Sequence, residues 1–184
     1  MKHVDLIGLH LEASSGTPLI LLREQDAPHR VLPIVVGGTE AAAIALALGD
    51  EPPRRPVTHD LMAALVESLG AHVDRVEVTE LRDGAFHAEL AMDGPTGAHR
   101  LDSRPSDAIA LAVRVDAPLF VSEAVLDEAG AVLTEELDEE SIEEEVARFR
   151  SFLDEVETAE SFEPGERREP DGPGPDDPQA DPGT

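Results

Sequence analysis

The sequence contains no cysteine, tryptophan or tyrosine, and its only lysine is Lys2. Absence of cysteine rules out disulfides, a thiolate nucleophile and thiolate-ligated zinc or iron–sulfur centres. With five phenylalanines there is little material for a base-stacking platform. A broad phosphate-neutralising surface requires clustered Lys and Arg, which one lysine cannot supply. No apolar run approaches the roughly 18 residues that mark a membrane span. The opening Met1-Lys2-His3-Val4-Asp5 has no long apolar stretch behind a basic flank, so a signal peptide is not expected. The expectation is a soluble cytoplasmic protein without a membrane partner.

What is abundant is acid, and it is unevenly placed. Lys plus Arg number 14 against 40 Asp plus Glu, a net charge of −26 over 184 residues. Residues 1–134 carry 21 acids and 10 bases, whereas residues 135–184 carry 19 acids and 4 bases. This shift marks a boundary near Thr134. Residues 1–134 read as the main domain. Residues 135–162 read as an acidic amphipathic helix, because Ile142, Val146, Phe149, Leu153 and Val156 recur at spacings of three and four. Its apolar stripe should dock on the body or on a second subunit. Residues 163–184, rich in Pro, Gly and acid, have too few apolar residues to fold and read as a disordered tail.

Within the main domain, residues 3–11 and 18–23 are rich in branched apolar side chains and flank Ser14-Ser15-Gly16, a hairpin pattern. Residues 30–36 form a third strand, in which Pro33 argues for an edge. Thr39 is placed to cap a helix over 40–48, and Thr58 a helix from His59 to Leu69. Residues 49–56 read as the linker between them. Residues 72–81 and 85–92 flank Asp83-Gly84, a two-residue hairpin signal, and 98–103 form a further strand. Pro105 opens a helix whose body, Ala108 to Val113, is wholly apolar. A short strand, 119–121, and a helix capped by Ser122 follow.

This order contains a repeat. His3-Val4-Asp5 returns as His72-Val73-Asp74, and Ala43-Ile44-Ala45-Leu46-Ala47 returns as Ala108-Ile109-Ala110-Leu111-Ala112, at separations of 69 and 65 residues. The expected fold is α+β, a duplicated β-β-β-α unit whose mixed, mostly antiparallel sheet is covered by helices.

Three polar clusters mark helix starts: Gly37-Gly38-Thr39-Glu40, Arg55-Pro56-Val57-Thr58-His59-Asp60 and Arg104-Pro105-Ser106-Asp107. Helix N-termini accept phosphate through free N–H groups, and carboxylates hold Mg²⁺ or Mn²⁺ through oxygen. On this reading His59, Asp60 and Asp107 are the catalytic candidates, with His59 the proton-transfer group. Arg55, Thr58, Arg104 and Ser106 would bind substrate, and Glu40, Asp60 and Asp107 a divalent metal. Helix capping alone also accounts for Thr39, Thr58, Ser106 and Asp107. The remaining histidines show no metal spacing; His72 and His87 could face each other across a hairpin, but a solvated strand position is the favoured reading.

Leu32-Pro33-Ile34-Val35-Val36-Gly37 followed by Glu40-Ala41, the run from Arg55 to Leu61, and the run from Arg104 to Ala112 resemble the bifunctional nuclease domain family. The resemblance covers about residues 3–130. It implies a compact α+β domain, a homo-oligomer (a dimer favoured), and cleavage of both DNA and RNA, the activity of plant members. It brings no agreed catalytic constellation. Two functions therefore stand: a nuclease hydrolysing phosphodiester bonds, with metal assistance, or a non-enzymatic homo-oligomeric module binding a small anion or a protein partner. The acidic composition fits the second better, and the resemblance favours the first.

Overall fold

A computed structural model describes residues 1–12, 15–49 and 53–132. Seven strands and four helices follow in the order β1 (Lys2–Leu11), β2 (Pro18–Glu24), β3 (Val31–Val35), α1 (Gly38–Leu48), α2 (Thr58–Ser68), β4 (His72–Arg82), β5 (Ala85–Asp93), β6 (His99–Ser103), α3 (Pro105–Val115), β7 (Leu119–Val121) and α4 (Glu123–Ala129). The expected acidic helix over 135–162 and the tail over 163–184 lie outside the described residues, as do Ser14 of the first turn and residues 50–52 of the linker.

The strands form one open sheet in the order β3-β2-β1-β7-β4-β5-β6. β7 lies at its centre, antiparallel to β1 through His3↔Phe120 and parallel to β4 through Glu77↔Phe120. β1 and β4 therefore run in opposite directions on either side of β7, each followed outward by two antiparallel neighbours. That arrangement is the one a duplicated β-β-β unit gives when two copies meet about a local two-fold. The mostly antiparallel α+β architecture stands as the pattern predicts, with β4·β7 the one parallel pair among the described strands.

Local chemistry explains the element ends. Asp83 and Gly84 both adopt positive φ, 53° and 76°, as the tight β4–β5 hairpin requires. Pro33 sits on the edge strand β3, paired with Leu21 on its one inner side, so its missing N–H interrupts no second ladder. Three expectations need correction. Gly37, not Thr39, is the N-cap of α1. Val57, not Thr58, is the N-cap of α2; there the Asp60 carboxylate accepts the Val57 N–H at 2.9 Å, so acid three residues on does the capping. His72 and His87 do not face each other: their cross-strand partners are Asp93 and Glu80, because His87 lies close to the Asp83-Gly84 turn and His72 at the far end of the hairpin.

α3 is the most deeply buried helix. Pro105, Ser106 and every residue from Ala108 to Ala112 are buried, since small alanines let it approach β4, β5, α1 and α2 at once. The repeated Ala-Ile-Ala-Leu-Ala sits two residues later in α1 than in α3, counted from each helix start. The matched residues agree at first, with Ile44 and Ile109 fully buried and Ala45 and Ala110 buried, and part at the leucine. Leu111 is fully buried and its counterpart Leu46 is 41% exposed.

Each half also buries one glutamate. Glu24, on β2, is 1% exposed and accepts from Arg30 Nε at 2.9 Å and Nη2 at 3.0 Å; Lys2 lies 3.8 Å away. Glu77, on β4, is 6% exposed and pairs with Arg100 and Arg75. Hydrogen bonding to Arg30 holds the Glu24 carboxyl below the usual carboxylate range, against the burial that would raise it; Arg100 does the same for Glu77.

A carboxyl depressed in the folded state contributes stability that is full above its ordinary pKa of 4.5 and is lost as pH falls through the folded value. Glu24→Gln should therefore cost about 3 kcal/mol at pH 7, the scale for breaking one partner of a buried pair. Urea melts of wild type and variant should converge as pH drops well below 4.5. A constant gap down to pH 2 would refute the assignment.

Candidate functional site

The mouth of α3 gathers side chains from three helices. β6 ends at Ser103, and Arg104 follows in extended geometry as the N-cap of α3, with Pro105 opening the helix. The Arg104 guanidinium donates through Nε to Asp107 Oδ2 at 2.8 Å, one turn into α3, and through Nη2 to Glu40 Oε1 at 2.8 Å, in the first turn of α1. The other Asp107 oxygen, Oδ1, lies 3.3 Å from His59 Nε2, at the start of α2. Glu40, Arg104, Asp107 and His59 thus form a continuous polar chain from surface to interior. Side-chain exposure falls along it, from 67% at Arg104 through 29% at Asp107 to 9% at His59. The hydrogen bonds to Asp107 and then Glu40 raise the Arg104 pKa, which keeps it charged.

Two features support this arrangement and are not legible as motifs. A Cβ built on Gly37 would overlap Glu40 Oε2, so a glycine at this cap leaves the carboxylate its place. His59 Nδ1 is buried and has no hydrogen-bond partner among the described residues. The nitrogen that meets the cluster is therefore Nε2, already directed at Asp107. His59 orients Asp107 rather than opening toward solvent.

Asp60 is not part of this chain. It accepts from Arg114 Nε with one oxygen and from the Val57 N–H with the other. Arg114, 8% exposed, also donates to Ala110 O at 2.7 Å and to Ala43 O at 3.0 Å. One guanidinium therefore ties α1, α2 and α3 together just behind the mouth. Its hydrogen bond lowers the Asp60 pKa, against the raising effect of burial. Arg114 escapes sequence reasoning because a single arginine in an apolar helix carries no spacing signal. Thr58 and Arg55 are exposed and make no hydrogen bond or ion pair to the cluster among the described residues, and Ser106 is buried at 7% exposure.

Two carboxylates and an imidazole are the donor types of a hard divalent cation. Here, however, Arg104 already bridges Glu40 and Asp107, and Asp60 is taken by Arg114. No group of three His, Asp or Glu side chains is arranged to hold a metal among the described residues. The arrangement does not fit a cation as it stands. A separate cavity of about 310 Å³ lies on β4–β6, lined in part by Arg75, Ala91 and Arg100. Both of its arginines are committed to Glu77.

Comparison with known proteins bears on what such a cluster is for. A family model described as the bifunctional nuclease domain matches residues 20–134. A protein of Mycobacterium tuberculosis (strain ATCC 25618 / H37Rv), named only as uncharacterized, is 41% identical over 160 residues, covering 85% of this chain and 95% of its own. Bifunctional nuclease 1 of Arabidopsis thaliana is 30% identical over 123 residues, and bifunctional nuclease 2 of Oryza sativa subsp. japonica is 29% identical over 123. Each plant match covers 65% of this chain but 38% of the plant protein.

Arg114→Met, which keeps bulk but no charge, should destabilise the protein by about 3 kcal/mol, since Asp60 loses its partner and two carbonyls lose a donor. Chemical denaturation at pH 7 measures this. A loss below about 0.5 kcal/mol, the scale of an ordinary surface change, would show that the three helices do not depend on this guanidinium.

Proposed function

The chain belongs to the bifunctional nuclease domain family, and from that premise we propose that it hydrolyses phosphodiester bonds of DNA and RNA at the Glu40–Arg104–Asp107–His59 cluster. The observation that supports this reading most is the position of Arg104: two-thirds exposed, charged, and shared between two carboxylates. A phosphodiester reaching this mouth would take the guanidinium from one carboxylate, because Arg binds phosphate oxygens as it binds carboxylate oxygens. The released carboxylate then stands beside the bound phosphate as a proton acceptor for attacking water, and as the new P–O bond forms the opposite ester P–O bond breaks, its departing oxygen taking a proton from solvent. Asp107 is the better placed of the two, since His59 Nε2 holds its far oxygen and fixes the plane of the group. Arg104 stays against the phosphoryl oxygens as negative charge gathers on them. His59 is thus a positioning residue, and Asp60 acts through Arg114 to hold α2 in place.

The anion-binding module remains the competing reading. One observation favours it: both carboxylates are already paired with the chain's own arginine, so each has a partner without a metal or a reaction. Mg²⁺ or Mn²⁺ would enter only with Arg104 displaced.

The two readings separate in a cleavage assay on labelled single-stranded DNA and RNA, with Mg²⁺, Mn²⁺ or EDTA. Full-length wild type should cleave, and Asp107→Asn and Arg104→Gln should each lose on the order of 10²-fold or more while keeping the wild-type circular dichroism spectrum. His59→Gln, which retains a donor for Asp107, should lose less than His59→Ala. Undiminished cleavage in Asp107→Asn and Arg104→Gln would move the site elsewhere. No cleavage by wild type under any condition would leave the anion-binding module.

A further inference from the structure

α2 carries an apolar stripe that nothing in the described domain covers. Its inner side sets His59 against α3 and packs Met62, Ala63 and Val66 on the core. Its outer side presents Leu61, Leu65 and Leu69, at 56%, 52% and 72% exposure, spaced four residues apart along one face. Three such leucines make an apolar patch of about 300 Å², within the range of the largest patch on a typical monomer, which is often functional. α2 is also the one helix of the three at the mouth that stands outside the duplicated β-β-β-α units.

We propose that this stripe is the docking surface for residues 142–156 of the same chain. That segment carries Ile142, Val146, Phe149, Leu153 and Val156 in alternating steps of four and three, the seam spacing by which one helix packs along another. As a helix it is about 22 Å long, enough to cover the roughly 16 Å of α2. Nine residues separate Val132 from Ile142. Extended, they span up to about 30 Å, about the diameter of a body whose radius of gyration is near 14 Å. Charge pairs are available at both ends: exposed Arg54 and Arg55 precede α2 for the acids Glu143-Glu144-Glu145, and Arg148 and Arg150 of the segment can meet Asp60 and Glu67 of α2. The mycobacterial similarity covers 85% of this chain, more than residues 1–134 alone can supply, so the matched region continues into this segment.

Tethering decides between this occupant and a second copy. A segment on a short linker is present at an effective concentration of the order of millimolar, whereas a second molecule arrives at its bulk concentration and brings another −26 of charge. The docked segment lines a helix whose first turn holds His59, so its carboxylates stand alongside the candidate site. The docking itself does not depend on the nuclease reading.

The cysteine-free sequence makes the test direct. In the full chain, Leu65→Cys is combined in turn with Val146→Cys, Phe149→Cys and Leu153→Cys. Glu67→Cys, exposed on α2 two residues away from Leu65, replaces Leu65→Cys as the control. Under mild oxidation or with a short bis-maleimide at micromolar protein, at least one Leu65 pair should cross-link within one molecule at least tenfold faster than its Glu67 counterpart. Products of dimer mass only would give the stripe to a second copy, and rates equal to the control would leave it without this occupant; either overturns the proposal. In parallel, Phe149→Asp should speed hydrogen exchange of the α2 amides at least tenfold, because it puts a charge in the apolar seam proposed to cover them. Unchanged exchange overturns the proposal as well.

Discussion

A buried guanidinium cannot be left without acceptors, and Arg114 finds all of its own on three different helices. It takes the Asp60 carboxylate from α2, the Ala43 carbonyl from α1 and the Ala110 carbonyl within α3. The cost of stripping water from the charge makes these contacts obligatory as a set. Once they form, the last turn of α3, the middle of α1 and the first turn of α2 have little freedom to move apart. Glu40, His59 and Asp107 then meet at Arg104 because their helices are already held. The interior arginine builds the frame, and the exterior one occupies it.

Much of the fold is legible in the sequence because strands and hairpins are written locally. Alternation of Val73, Val76 and Val78, the Asp83-Gly84 turn and the edge-seeking Pro33 each act over a few residues, and the structure follows them. The repeat is legible in its strands as well, and β7 joins the two halves as a strand belonging to neither. Convergence of the polar helix starts is harder to read. Asp107 meets His59 across 48 residues, and Arg114 meets Asp60 across 54. No periodicity encodes such pairs. Asp60 and His59 are adjacent in sequence but lead to different arginine-centred networks, because successive residues in a helix point about 100° apart. The buried Glu24 and Glu77 are likewise invisible in a chain with 40 acids, where any glutamate reads as solvated surface.

The duplication also explains why the site is lopsided. Two equivalent halves would give two equivalent mouths, but the repeated helical motif is displaced by two residues in α1 relative to α3. α3 is buried along its whole small-residue body, whereas α1 buries Ile44 and Ala45 but turns Leu46 outward. α2 has no counterpart after β6, where the chain passes directly into α3. It fills the asymmetry, bringing His59 to one side of α3 and leaving three leucines on the other side of itself.

Electrostatics sets the terms on which such a site could meet nucleic acid. Affinity for a polyanion ordinarily comes from many phosphate contacts, each releasing counterions. This body is net acidic and its bases are scattered in pairs with acids: Arg30 with Glu24, Arg75 and Arg100 with Glu77, Arg114 with Asp60. Long-range steering therefore works against approach. On the proposed reading, recognition is short-range, at Arg104, where a phosphate would compete with a carboxylate for one guanidinium. A contact made with a single phosphate reads neither base nor sugar, so it does not distinguish DNA from RNA. A site that engages the backbone one phosphate at a time would have no means of choosing between the two polymers, which is what the proposed cleavage of both requires.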